Sequence, residues 1–233
     1  MKESKLAHEL AGRTIKEVFH LAQGISELHS CLTSPRGDYL RLRMLQAMET
    51  PVEEAEIEKL QVESGVEEHM RHLNKLLNAG LVSAEGPDGE RKCARTELGE
   101  RAVNAVREFQ RSIGIEEARV VYSAALGPNS IRLFLRIYGN KREPSLDHLD
   151  AQYTPAEVGR MSLFLPRIIE GVSAVDKLSV GGLFIYSDDG YVYMPAVKAR
   201  AFYRYLRELY EIVRANGKRS KNIRQRSAIQ TRA

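Results

Sequence analysis

Ser64-Gly65-Val66-Glu67-Glu68-His69-Met70-Arg71-His72-Leu73-Asn74-Lys75-Leu76-Leu77-Asn78-Ala79-Gly80-Leu81-Val82 is the stretch that decides the fold. Ser64 suits a helix N-cap, and Glu67 three residues on completes a capping box. Val66, Met70, Leu73 and Leu77 fall within about 60° on one face at 100° per residue, so that face is expected in the core. Gly80 supplies the left-handed turn that stops the helix. Opposite the apolar stripe stand Glu68, Arg71, His72 and Lys75.

Working outward, the elements on either side are short. Leu40, Leu42, Met44, Leu45 and Met48 predict one helix. Residues 52–62 predict a second, with Pro51 suited to its first turn. Downstream, residues 81–85 read as a strand and Gly86-Pro87-Asp88-Gly89 as a turn cluster. Residues 91–95 read as the returning strand. Thr96 then opens a long helix, residues 97–112, with Ala102, Val103, Val106 and Phe109 as its apolar positions.

This order resembles the winged helix-turn-helix of the MarR and ArsR families of transcription regulators. The matching residues are the His72-Leu73-Asn74-Lys75-Leu76 run, the Ala79-Gly80-Leu81-Val82 helix stop, the Asp88-to-Arg91 turn and Thr96-Glu97-Leu98-Gly99. The match covers residues 38–111, about a third of the chain. The resemblance implies that the third helix reads the major groove of double-stranded DNA and that the hairpin, the wing, touches the minor groove or backbone. It implies these roles for Arg71, His72 and Lys75 in the helix, and for Arg91 and Lys92 in the wing. Glu68 and Arg95 complete the candidate DNA-binding set.

Charge argues against that role. The net charge of +4 on 233 residues hides a strong asymmetry. Residues 49–111 hold nine basic and fourteen acidic side chains, whereas residues 212–233 hold seven basic ones and no acid. Residues 49–68 alone carry Glu49, Glu53, Glu54, Glu56, Glu58, Glu63, Glu67 and Glu68 against Lys59. Phosphate contacts dominate nucleic-acid affinity, and a glutamate-rich second helix repels the backbone it would cross. Either the acids point away from DNA or the module docks a protein.

The flanking regions are less specific. Residues 6–32 predict a helix with Ile15, Val18, Phe19, Ala22, Ile25 and Leu28 on one stripe, which suits either packing on its own domain or half of a dimer interface. In the second half, Asn129-Ser130 caps a short helix and Thr154-Pro155-Ala156-Glu157 opens another. Pro166 kinks or ends that helix. Residues 183–186 and 191–194 flank Asp188-Asp189-Gly190, a strong hairpin signal. A final helix follows from about residue 196 to 215. This is again the order of a winged helix, degenerate in motif; a small α+β sensor or dimerisation domain fits as well.

The last helix places Ala199, Phe202, Leu206, Leu209 and Val213 on one side and Arg200, Arg204, Arg207 and Arg214 on the other. The basic side runs on into Lys218, Arg219, Lys221, Arg224 and Arg226, a candidate set of additional nucleic-acid contacts. Residues 216–233 have too few apolar side chains to fold alone and are expected to be a basic disordered tail. Six of the ten tyrosines lie between residues 186 and 210, which fits a seam between hairpin and helix better than a base-stacking platform.

No catalytic constellation accompanies these elements. There is no phosphate-cradling glycine loop, no H-E-x-x-H and no Gly-x-Ser-x-Gly elbow. Cys31 and Cys93 are the only cysteines, and neither has zinc-ligand spacing. His69, His72 and Cys93 form a conceivable metal site, but the paired cysteines usual in metal-sensing ArsR-type proteins are missing, so no metal and no cofactor is expected. No run approaches the ~20 apolar residues of a membrane span, and the first residues have no apolar signal core.

The sequence therefore predicts a mainly α fold with small β-hairpins (α+β). Residues 1–34 hold the N-terminal helix, 38–112 the winged helix-turn-helix, 115–215 the second winged-helix-like or sensor domain, and 216–233 the tail. The expected function is a cytoplasmic, homodimeric DNA-binding transcription regulator, not an enzyme. Bound at a palindromic site, it would block or recruit a transcription-machinery protein. The alternatives are a winged-helix adaptor for protein, or a nucleic-acid-binding factor that grips through the basic C-terminal helix and tail.

Overall fold

The computed structural model describes residues 15–32, 39–62, 69–87, 90–140, 151–154, 156, 168–186, 188 and 192–230. Among the described residues the fold is mainly helical, with two small antiparallel sheets, as the α+β expectation requires. Among the described residues no helix is long and apolar enough to cross a membrane. The chain forms two compact units, each drawn from separate lengths of sequence. One comprises Leu28–Val106 and Glu208–Ala233; the other comprises Met1–Glu27 and Arg107–Arg207. Helices α1 (Ile15–Leu32), α5 (Glu97–Ile113) and α9 (Ala196–Gln230) contribute residues to both.

In the first unit, α2 (Leu40–Ala47) leads into β1 (Val52–Glu53), α3 (Glu54–Val62), α4 (His69–Asn78), β2 (Val82–Glu85), β3 (Lys92–Arg95) and the start of α5. The sheet order is β1-β3-β2. Val52 and Ala84 flank Cys93, and Glu53 and Glu85 flank Lys92. The sequence reading carries the second helix back to Val52. Val52-Glu53 instead pairs with β3, and the helix starts at Glu54, whose N–H donates to the Arg91 carbonyl at 2.9 Å. Leu40, Leu42, Met44 and Leu45 pack inward with Ile57, Leu73, Leu76, Leu81 and Cys93.

In the second unit, α6 (Ile115–Ala124) is followed by α7 (Pro128–Asn140), β4 (Ala151–Tyr153), α8 (Ile168–Val180), β5 (Ile185–Tyr186), β6 (Val192–Met194) and the start of α9, as far as Arg207. The sheet order is β4-β6-β5. Gln152 and Ile185 flank Tyr193, as Val52 and Ala84 flank Cys93. Helices α6 and α8 are additions to the elements that the sequence pattern predicts. Of the tyrosine-rich segment, Tyr203, Tyr205 and Tyr210 are core. Tyr205 stacks on Phe109 with centroids 5.1 Å apart, and Tyr203 stacks on Tyr138 at 4.6 Å. The side chains of Tyr186, Tyr191 and Tyr193 lie outside the described set.

The two units repeat one plan in detail. At the end of α4, Gly80 N–H reaches Leu77 O at 2.9 Å and Leu81 N–H reaches Leu76 O at 3.0 Å. At the end of α8, Gly182 N–H reaches Ser179 O at 2.8 Å and Leu183 N–H reaches Leu178 O at 2.9 Å. Both glycines are left-handed, with φ of 67° and 63°. These are the paired bonds of a Schellman stop, which absorb carbonyls that a helix end leaves open. The sequences agree where the geometry does: Lys75-Leu76 then Gly80-Leu81, and Lys177-Leu178 then Gly182-Leu183, with all four leucines buried. The leading helices agree too, with Leu40-Arg41-Leu42 and Ile131-Arg132-Leu133 all buried.

One further expectation changes. Helix α9 continues to Gln230, so residues 216–230 are helical rather than a disordered tail. Their Lys, Arg, Gln and Ala side chains are good helix formers, and an existing helix extends without a new nucleus. In α1, Ala22, Ile25, Leu28 and Leu32 are buried within the chain itself. Ile15, Val18 and Phe19 have side chains outside the described set.

Candidate nucleic-acid interface

Helix α4 buries Leu73 and Leu76 and exposes Asn74, Lys75 and Asn78. The buried stripe thus runs through Leu76, and Leu77 is only half-buried. His72 lies four residues before Leu76, about 40° from it around the helix, so it sits on the flank of the core face. It is half-buried and its Nδ1 is inaccessible, not facing outward as the sequence reading places it. Lys75 is exposed in the last turn, where the helix dipole favours a cation. Arg71 belongs to α4, but its side chain is outside the described set, as are Val66, Glu67 and Glu68 altogether.

The C-terminal end of α4 is held by two other helices. Asn216 Nδ2, on α9, donates to Ala79 O at 2.9 Å. Thr96 Oγ1, at the head of α5, donates to Gly80 O at 2.8 Å, and Thr96 N–H donates to Leu81 O at 3.0 Å. Thr96 Oγ1 also accepts the Gly99 N–H at 3.1 Å, the bond expected of an N-cap three residues upstream. A Cβ on Gly99 would overlap the Leu81 carbonyl oxygen. The Thr96-Glu97-Leu98-Gly99 motif therefore has a structural cause: Thr96 caps α5 and ties down α4, and Gly99 lets the two backbones approach.

The hairpin uses its arginines internally. Arg91 grips Glu54 with both prongs, Nη2 to Oε1 at 2.6 Å and Nε to Oε2 at 3.0 Å. Glu54 is 2% exposed, so the most buried carboxylate among the described residues of the acidic segment is neutralised inside the module. Arg95 donates to Leu45 O at 3.2 Å and pairs with Glu100, with only 6% of its side chain exposed. Lys92 points the other way, 69% exposed, with Glu53 at 3.7 Å. Of the three hairpin cations in the candidate set, Lys92 alone faces outward. Cys93, between Arg91 and Arg95 on the inner side, is fully buried; burial and then the nearby Glu54 charge push its thiol pKa up. It is a protonated core thiol.

Around the acidic segment, Glu49, Glu53, Glu56 and Lys59 are exposed. Glu58 has a side chain outside the described set, and Glu63 lies outside it.

The basic stripe of α9 divides. Ala199, Phe202, Leu206 and Leu209 form the buried side as expected, joined by Ile212, with Val213 half-buried. Arg204 and Arg214 are exposed, while Arg200 and Arg207 are half-buried. Arg204, Arg207 and Arg214 each engage other groups of the protein. Arg200, Arg204 and Arg207 belong to the second unit, whereas Lys218, Arg219, Lys221, Arg224 and Arg226 belong to the first, on helical backbone with side chains outside the described set. Asn216 is invisible to sequence reasoning because a lone asparagine late in a helix carries no signal without the Ala79 carbonyl opposite. Comparison with protein-family models, curated proteins and solved structures found no match for this chain.

Proposed function

We propose that the first unit is a winged helix that binds double-stranded DNA through α4 and the outer face of the β2–β3 hairpin, and that the chain regulates transcription through this contact. The observation that carries the reading is topological. A two-residue strand after the first helix pairs onto the far strand of a hairpin, giving the order β1-β3-β2 beneath α4. That arrangement supports α4 as the groove-entering helix, with Asn74, Lys75 and Asn78 on its free face. Amides and ammonium groups suit base edges and phosphates. The acid excess weighs less than the sequence suggests, since Glu54 is consumed by Arg91 and Glu53 stands beside Lys92. The shared plan of the second unit supports a degenerate winged helix there.

The test is a fluorescence-anisotropy titration of labelled duplex DNA with the full chain over a salt series. Steeply salt-dependent binding, weakened by Lys75→Ala and by Lys92→Ala, supports the reading. Absence of duplex binding at low salt overturns it. The adaptor reading is the second, favoured by one observation: Arg91 and Arg95 are both spent inside the module, leaving exposed carboxylates around it.

A further inference from the structure

The end of α9 is set apart from the rest of the helix by its charge. Its buried residues include Leu209, Tyr210 and Ile212. Arg101 Nη2 fastens Glu208 at 3.1 Å, and Asn216 fastens to Ala79. Beyond Asn216 comes Gly217, exposed, with nothing within 4 Å of where a Cβ would stand. The helix nonetheless continues to Gln230. Residues 217–230 contain Lys218, Arg219, Lys221, Arg224 and Arg226, no acid, and only Ile223, Ala228 and Ile229 as apolar residues.

Such a helix works against itself. Lys218, Lys221 and Arg224 follow one another at three-residue spacing, where like charges repel. There are no carboxylates within it to offset them, and too few apolar side chains to bind it to a core. A polyanion relieves that repulsion and gains from counterion release. The Asn216 bond, on Ala79, lies at the C-terminal end of α4 itself. The segment beyond it is about 21 Å long at 1.5 Å per residue.

We infer that residues 217–230 form a basic helical arm, fixed to the end of α4 by Asn216, that binds the phosphate backbone of the duplex read by α4. This rests on the DNA-binding reading proposed above and assigns the arm affinity, not sequence choice. Phosphate contacts hold and orient a protein on the duplex, and base contacts select the site.

The test compares the full chain with a full-length variant carrying Lys218→Gln, Arg219→Gln, Lys221→Gln, Arg224→Gln and Arg226→Gln. Glutamine keeps helix propensity, and matched melting curves check that the fold is kept. Binding to a labelled duplex is titrated over a salt series. The expected result is weaker binding with a log–log salt slope shallower by about 2 to 4, at about 0.9 for each phosphate no longer neutralised. Lys75→Ala is expected to make the slope shallower by about 0.9, the share of a single phosphate. Asn216→Ala is expected to weaken binding several-fold with little change of slope, since it loosens the mount and keeps the cations.

An unchanged slope in the five-fold variant, with Lys75→Ala still impaired, overturns the arm and leaves the winged-helix reading standing. Binding abolished by the five-fold variant but indifferent to Lys75→Ala and Lys92→Ala keeps the arm and overturns groove reading by α4. An intact chain that ignores duplex DNA at low salt overturns both. Arm-dependent self-association without duplex binding points to the acidic segment of another copy as the arm's partner, and overturns the inference as well.

Discussion

Asn216 and Ala79 are 137 residues apart, and the Asn216 side-chain amide closes on the Ala79 carbonyl at 2.9 Å. The same side chain packs against the bare Cα of Gly80, its Oδ1 2.9 Å from where a Cβ would stand. One residue of α9 thus reads both the hydrogen-bonding and the steric state of the α4 terminus. Asn216→Ala is expected to lower stability by about 1 kcal/mol, the net worth of one partly buried hydrogen bond. Gly80→Ala is expected to cost about as much again or more, because φ of 67° disfavours a side chain. The two are coupled. In an Asn216→Ala background the Gly80→Ala penalty should shrink, as urea midpoints from a double-mutant cycle will read. Strict additivity would show that the contact is slack.

Gly99 is a harder case. Its missing Cβ makes room for the Leu81 carbonyl, a backbone atom that cannot swing aside. Gly99→Ala should therefore cost about 2–3 kcal/mol despite alanine's better helix propensity. Thermal melts check it. A neutral or raised Tm would mean that α5 shifts freely on α4.

Glu54 and Arg91 form a buried, two-pronged pair, so removing one partner strands the other. Glu54→Ala is expected to destabilise by about 3–5 kcal/mol, while Arg91→Met with Glu54→Leu, which removes both charges, is expected to cost much less. Duplex binding separates structure from contact here. The double variant should bind like the original chain, since Arg91 does not face outward, whereas Lys92→Ala should bind more weakly.

His29 is buried at the N-terminal edge of the first unit, and burial lowers its pKa from 6.5 to about 3. The unfolded chain then binds a proton that the folded chain refuses across this window. Stability contributed by the neutral ring is complete above pH 6.5 and is lost as the pH falls toward 3. At pH 5 the loss amounts to about 2 kcal/mol relative to pH 7. Urea midpoints at pH 5, 6 and 7 should fall with acid, and His29→Gln should flatten that difference. A parallel pH dependence in His29→Gln would assign the effect to the carboxylates instead.

The sequence revealed the parts that carry period or punctuation. The Gly80 stop, the hairpin on either side of residues 86–89, and the Thr96 cap all lie where their residues announce them. A strand of two residues, Val52-Glu53, has no period to detect, and only its partner Cys93 defines it. Helix α8 is hidden by Pro166 before it and Gly171 within it, both of which read as breakers. In the candidate site, Arg91 and Lys92 are neighbours of like charge, and chemistry alone does not choose between them. Alternation along β3 turns Cys93 inward and Lys92 outward, so the register decides which cation is free. The same holds for Leu76 and Leu77, where a shift of one residue moves the buried stripe and draws His72 into its flank.

The discontinuous make-up of the units bears on synthesis of the chain. Residues Leu28–Val106 share their compact unit with Glu208–Ala233, and the Asn216 bond on Ala79 cannot form until residue 216 has been made. Leu28–Val106 thus waits for a helix segment that follows the whole of Arg107–Arg207. A nascent chain stalled before the closing helix emerges would leave the Ala79 carbonyl, at the end of α4, still open to water.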